Sequence, residues 1–404
     1  MLVSFSVENF QSIRERITLD MRKANIDEHK DSLIEKKYLP VSVLYGPNGG
    51  GKSTVLKAFN VFCQIFKVPL IMQSFTANTQ TPVFIQRPIP FLLDEESRNK
   101  STTFEAVIEV GESIFRLYLE CYQNTILNET LQEKKSRGKP LTVYERNKNV
   151  ISTNIKGVPK SLNISAEYPA LSLIRQQYGE VTPIKEVSDW IMFSSMIDYG
   201  VPYLEDQMKA MLEDVCKNEK QKNRIRTILN SFNLGVNDFD FEYLDKDKRL
   251  FQIKTYHELN DRKYELSLPV ESMGTQKLIN LLPLLLSSLE NGRLLVVDEL
   301  DAKLHSKMLE QVINLYTDRQ VNTKGAQLIF TSHDLSTMNS KVFRRDEIWF
   351  AAKDDAESTR LYSLVDIRDE KGEKIRSDAA YGKQYLEGRY GADPYFYKMN
   401  KGEW

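Results

Sequence analysis

Cysteine and histidine are scarce here: 404 residues include three of the first and four of the second. Cys63, Cys121 and Cys216 lie far apart and none belongs to a CxxC pair, which argues against a disulfide framework or a cysteine zinc site and for reduced thiols. So few histidines also argue against a His-rich metal centre. Long hydrophobic runs are missing as well. The longest, Leu278–Leu289, is interrupted by Asn280, Pro283 and two serines and closed by Glu290, which suits a buried helix and is too short for a bilayer. The opening residues alternate and carry Glu8, unlike the apolar core of a secretory leader, so the expected location is the cytoplasm, with no membrane contact. An excess of one charge is absent too. The 55 Lys and Arg nearly balance the 56 Asp and Glu, a net charge of −1 that excludes a polycation or a charged tail but not a local basic face.

What is present is 41% hydrophobic and 27% charged residues, enough chain for one large domain or two ordinary ones. Val3, Phe5 and Val7 alternate with polar residues, as do Ile17, Leu19 and Met21, predicting two strands. Val41–Tyr45 reads as a buried strand, and residues 104–122 as a hairpin turning at Gly111. Residues 165–232 carry long helical stretches, so a helical lobe is expected over 165–234. Arg293–Glu299, Ala326–Ser332 and Asp346–Ala351 read as parallel strands separated by helices, the alternation of α/β folds. No heptad stretch is long enough for a coiled-coil arm.

The chemistry starts at Gly46-Pro47-Asn48-Gly49-Gly50-Gly51-Lys52-Ser53, followed by Thr54, which fits G-x-x-x-x-G-K-[ST] between a predicted strand and a predicted helix. Glycines in such a loop turn backbone N–H groups toward phosphate oxygens, and the helix N-terminus adds positive potential. Lys52 is placed to reach the β- and γ-phosphates and Ser53 to ligate Mg²⁺. Leu294–Val297 runs into Asp298-Glu299, a strand ending in a carboxylate for the metal shell and a second one as general base for water. Ser272 and Gly274, in Glu271-Ser272-Met273-Gly274-Thr275-Gln276, open the preceding helix as a further anion site. His333, just past a buried strand, is placed to contact a γ-phosphate.

In this order the motifs resemble the ABC-type ATPase family: Walker A, signature, Walker B with its glutamate, D-loop and switch histidine. The resemblance implies two nucleotide domains that sandwich two ATPs, with Ser272 and Gly274 acting across the homodimer seam and Ala302-Lys303-Leu304-His305 as the D-loop. Two departures stand out. Met273 replaces the usual signature glycine, and the family's Q-loop glutamine is not fixed, Gln86 being a candidate. Asn9-Phe10-Gln11-Ser12-Ile13 resembles the opening turn of SMC-like and break-repair ATPases. The signature, Asp298–His305, Arg345–Phe350 and Tyr385–Ala392 are similar to the stand-alone bacterial "AAA family" ATPases of abortive-infection systems, the AbiL/RloA type, which are ABC-like in fold.

The expected architecture is therefore an ABC-like α/β ATPase head over 1–164 and 235–404, combining antiparallel β structure with a parallel-sheet P-loop core, and an inserted helical lobe over 165–234. The resemblance implies a slow ATP-driven switch, using ATP and Mg²⁺, that works in anti-phage defence beside a separate effector such as a TOPRIM-type nuclease. Higher assemblies than a dimer are compatible with it. Nucleic acid is a further candidate partner, through the basic stretches 217–226 and 134–139. The alternative is an SMC-like DNA-binding repair ATPase. The pairs Asp238/Asp240 and Asp245/Asp247 read as solvated turns, and no nuclease centre is expected in this chain.

Overall fold

A computed structural model describes residues 1–72, 88–136, 138–179, 181–198, 204–247, 251–369 and 371–392; Gln86 lies outside them. The alternating segments form an eight-stranded antiparallel sheet in the order β2 (Ile17–Asp20), β1 (Leu2–Glu8), β4 (Thr102–Val110), β5 (Ser113–Tyr122), β6 (Thr125–Lys135), β7 (Leu141–Asn147), β8 (Val150–Thr153) and β9 (Ser161–Asn163). The apolar strands form a second sheet in the order β10 (Ser195–Asp198), β14 (Leu294–Asp298), β15 (Gln327–Thr331), β3 (Val41–Tyr45), β16 (Ile348–Lys353) and β17 (Thr359–Ser363). Its first five strands are parallel, and β17 returns antiparallel on β16. A three-stranded antiparallel sheet holds β11 (Val236–Tyr243), β12 (Phe251–Leu259) and β13 (Arg262–Ser267). This is the expected mixed α/β fold.

Two cores share the parallel sheet as a wall. On one side, α1 (Lys52–Met72), α3 (Ala170–Tyr178) and α4 (Thr182–Phe193) pack with the antiparallel sheet against Leu44, Leu294, Val296 and Ile329. On the other, α5 (Leu204–Lys217), α6 (Glu219–Ser231), α7 (Met273–Asn291), α8 (Ser306–Thr317) and α9 (Tyr381–Leu386) gather around Val43, Tyr45, Leu295, Val297 and Phe330. A short α2 (Glu95–Arg98) is capped by Asp94. By length and composition α1 could cross a membrane, yet here Val55, Phe59, Phe62 and Phe66 bury it in the first core. Residues 165–234 do not keep a core to themselves: α3 and α4 join the first, α5 and α6 the second, and β10 extends the parallel sheet.

Buried polar groups stitch the layers. Gln327 accepts Leu2 N–H at 2.6 Å and donates to the Leu2 and Leu39 carbonyls, so its amide bridges β1 to the parallel sheet. Fully buried Arg146 and Glu129 form an ion pair, and Glu129 also accepts the Ala170 and Leu171 N–H groups at the start of α3. Fully buried Arg344 makes a two-pronged pair with Asp346 at 2.8 and 2.7 Å.

Gln327→Leu keeps the volume but orphans Leu2 N–H and two carbonyls, so about 2–3 kcal/mol of stability should be lost in urea unfolding. Glu347 gives a second test. Its Oε2 accepts the Arg344 N–H, Oε1 is buried without a partner, and burial pushes its carboxyl up to about 8 from an ordinary 4.5. A raised folded value means stability that is complete below the unfolded value and is lost as pH climbs through the folded one. Glu347→Gln should flatten that loss between the two values, read as Tm against pH.

Candidate nucleotide-binding site

Residues 46–54 turn from the end of β3 into the first turn of α1, with Asn48 and Gly49 exposed at the tip. Gly51 has φ +102°, and a Cβ there would fall 2.1 Å from Thr359 Oγ1 on β17, so only glycine fits. Thr359 donates to the Gly50 carbonyl at 3.2 Å and pairs with Ser12 Oγ at 2.8 Å, and Ser12 Oγ donates to Thr54 Oγ1 at 3.2 Å. The turn after β1 and the strand β17 thus brace the loop from behind. Lys52 is buried and points its ammonium to the Gly46 and Pro47 carbonyls at 2.8 and 3.0 Å. Burial lowers its pKa, against the opposing fields of Asp298, Asp301 and Glu299.

Those carboxylates come from the end of β14, two strands away across β15. Thr331, the last residue of β15, donates to Asp298 Oδ1 at 2.5 Å and accepts the Glu299 N–H at 2.7 Å. Glu299 has φ +51° with its side chain exposed, a left-handed conformation that costs a non-glycine residue and clusters at working sites. His333 donates its backbone N–H to Asp301 Oδ2 at 2.9 Å. Burial first and then the Lys52 charge lower the His333 pKa, which favours the neutral imidazole. Lys52, Asp298, Glu299 and His333 are therefore brought to one edge of the sheet. Asp301 joins them, one buried oxygen without a partner, though the motif reading did not single it out.

Ser272 caps α7, accepting the Thr275 N–H at 3.2 Å and pairing with Thr275 Oγ1 at 2.8 Å. Glu271 is fixed by Thr255 Oγ1 at 2.5 Å and His257 Nε2 at 2.7 Å from β12. Among the described residues no hydrogen bond joins this turn to 46–54. It meets the carboxylate edge instead. A Cβ on Gly274 would approach the Lys303 carbonyl to 2.9 Å, and Lys277, five residues after Ser272, donates to the carbonyls of Glu299, Leu300 and Ala302 at 2.8, 2.9 and 2.8 Å. Burial lowers Lys277 to about 8, with Asp301 and Glu299 opposing. Neither Lys277 nor Thr331 carries a motif signature; a lysine at buried spacing on a predicted helix was the available clue.

The donor set suits a magnesium ion better than a transition metal. Among the described residues no group of three or more His, Cys, Asp or Glu forms a metal cage. Asp298 keeps one oxygen free of Thr331, and Ser53 is half-exposed beside Lys52. One carboxylate and one hydroxyl, completed by phosphate and water, are what magnesium accepts. One expectation elsewhere needs correction. Asp238 and Asp240 are not in a solvated turn: they lie on β11 and pair with Arg226 and Lys222 of α6. With Lys217–Glu213 and Arg224–Glu290, this leaves much of the basic stretch 217–226 neutralised within the chain. Lys134 and Lys135, which open the other basic stretch, close strand β6.

No curated protein matches the chain. Among solved structures it is similar to the SMC head domain from Thermotoga maritima, with 15% identity over 90% of this chain and 98% of that one and a TM-score of 0.43. It is also similar to an SmcHead bound to the C-winged helix domain of ScpA, at 12% identity, 90% and 97% coverage and a TM-score of 0.47. A third is an Smc head domain with an extended coiled coil bound to the C-terminal domain of ScpA derived from Pyrococcus furiosus, at 9% identity, 90% and 96% coverage and a TM-score of 0.38. The family described as "AAA domain, putative AbiEii toxin, Type IV TA system" matches residues 41–339. That span runs from the strand before the phosphate loop to beyond His333 and covers well over half of the sequence, so the chain belongs to this AAA-domain family.

Proposed function

We propose that the chain is a cytoplasmic ATP-binding and ATP-hydrolysing switch, acting as a head-to-tail dimer on a separate effector in bacterial anti-phage defence. The observation that carries the catalytic part is the convergence of Lys52, Asp298, Glu299 and His333 on one sheet edge, tied together by Thr331 and Asp301. In this reading residues 1–164 and 235–404 form the head and 165–234 the insertion. Gly46–Thr54 cradle the triphosphate, and Lys52 neutralises the transferring phosphoryl oxygens. Ser53 and Asp298 hold Mg²⁺, which when bound offsets charge on the β- and γ-phosphates. Glu299 takes the proton of the attacking water, and His333 contacts the γ-phosphate. Ser272 and Gly274 complete the partner's site. The exposure of Ser272 and Met273 at the start of α7 suits that role.

The defence role rests on the family's description and on the similarity of Asp298–His305 and Tyr385–Ala392 to abortive-infection ATPases of the AbiL/RloA type. The DNA-repair alternative has less to rest on, because the basic stretch 217–226 largely spends its charge on Glu213, Asp238, Asp240 and Glu290. The helices α5 and α6 span 14 and 13 residues, too short for a DNA-tethering arm.

Lys52→Ala should lose ATP binding. Glu299→Gln should bind ATP normally, hydrolyse it at least about 100-fold more slowly and accumulate dimers. Pulled from native cells in saturating ATP, Glu299→Gln should retain a protein effector that Lys52→Ala does not; identical captures would rule out an ATP-gated switch, and DNA alone would favour repair. Lys277→Met should leave ATP affinity within a few-fold but lower kcat about 100-fold, because the Glu299 turn loses its three-carbonyl clasp. An unchanged kcat would show that the clasp does not position the base.

A further inference from the structure

Among the described residues, most cations held away from solvent have a carboxylate close by. Arg146 sits against Glu129, Arg344 against Asp346, Arg345 against Glu28 and Lys222 against Asp240, while Lys52 and Lys277 lie in the field of Asp298, Glu299 or Asp301. Burial without an opposite charge is costly, so the pattern is expected. Half-buried Lys67 and Arg293 have none, as half-buried Arg319 has none, and the first two line one cavity of about 350 Å³ walled by α1, the end of α4, β10, α5 and α7.

Lys67 donates its ammonium to the Ser194 carbonyl. The Arg293 guanidinium lies over the Phe193 ring, 4.0 Å from its centroid, with one N–H 3.5 Å from Ser287 Oγ. Among the described residues neither cation forms an ion pair with a carboxylate. Burial lowers the pKa of both, and among the described residues no carboxylate offsets that burial at either of them. Much of the rest of the wall is apolar or sulfur-bearing, including Cys63, Met196, Met211 and Leu284. The volume falls in the range of small-molecule sites, roughly 300–1,000 Å³.

We propose that this cavity binds a small organic anion, its charged end taken by Lys67 and Arg293 and its apolar body by Cys63, Met196, Met211 and Leu284. The site is separate from the phosphate loop, and its occupancy does not depend on the nucleotide reading. An anion supplies the opposite charge that Lys67 and Arg293 lack among the described residues, and the thioethers adapt to an irregular hydrocarbon or ring.

The test uses the full chain with Mg-ATP present, so that an anionic probe is kept from the phosphate loop. Titration with 8-anilinonaphthalene-1-sulfonate should show one site. Lys67→Met and Arg293→Met should each weaken it about tenfold, while Arg293→Lys stays closer to the unsubstituted protein. The neutral dye N-phenyl-1-naphthylamine should bind the unsubstituted protein at least about tenfold more weakly, a comparison that needs no variant to fold. Displacement by octanoate and not phenyl phosphate assigns a carboxylate ligand, and the reverse assigns a phosphate monoester. Failure of both to displace the dye, equal affinity of the two dyes, or unchanged binding in both methionine variants with unchanged Tm would overturn the proposal.

Discussion

The parallel sheet is buried on both faces, and the remaining architecture follows from that. Along β3, Val41, Val43 and Tyr45 face one core and Leu44 the other; β14 and β15 divide their residues in the same way. Strands closed on both sides have no lateral room for charge, because an unpaired polar group there has neither water nor a partner. Polar chemistry has to emerge where the strands stop. Asp298 closes β14, Glu299 follows it directly, His333 comes just after β15 and Lys52 opens the helix after β3, three strands that are neighbours in the sheet though far apart in sequence. The edge makes the site, and the loops hold it in shape.

The loops are held from outside the sheet. Glu299 adopts a left-handed conformation that an isolated turn would leave, at a cost of about 1–3 kcal/mol. Thr331 fixes its N–H from the neighbouring strand, and Lys277 fixes its carbonyl from α7. Because Lys277 belongs to the helix that Ser272 caps, a shift of that cap is transmitted to the Glu299 turn through one side chain. In the proposed reading, this arrangement gives a physical route by which a contact at the end of α7 would bear on Glu299.

Sequence reading finds what is local. The glycine loop, the buried strands and the acidic pair at Asp298-Glu299 are written in contiguous residues, since backbone freedom and side-chain period act over a few positions. Ser12 and Thr359 are 347 residues apart, and nothing in either neighbourhood announces that their hydroxyls meet behind Gly50. Lys277 looks like a lysine on an apolar helix until α7 is laid against the Glu299 turn. Asp238 and Asp240 were misread for a similar reason: an acidic, alternating segment resembles a turn until its partners, Arg226 and Lys222, arrive from α6. Helical content over 165–234 was legible, whereas the split of those helices between two cores depends on which sheet face each one meets.

The string Tyr385–Ala392 acquires a physical role by the same logic. Tyr385 stacks on Phe350 with ring centroids 5.7 Å apart and planes 11° apart, Tyr390 packs on the same ring at 5.3 Å, and Tyr362 OH donates to the Tyr390 carbonyl at 2.7 Å. Phe350 precedes Ala351 on β16, whose carbonyl lies so near Gly46 that a Cβ there would come within 2.1 Å of it. The aromatic string therefore backs the strand that backs the phosphate loop. Ser12, 42 residues before Thr54, and Thr359, 309 residues after Gly50, brace the loop's other flank, so its geometry is set by segments distant in sequence. A substitution in the aromatic string is then expected to reach Gly46 through Phe350 and Ala351, without touching nucleotide.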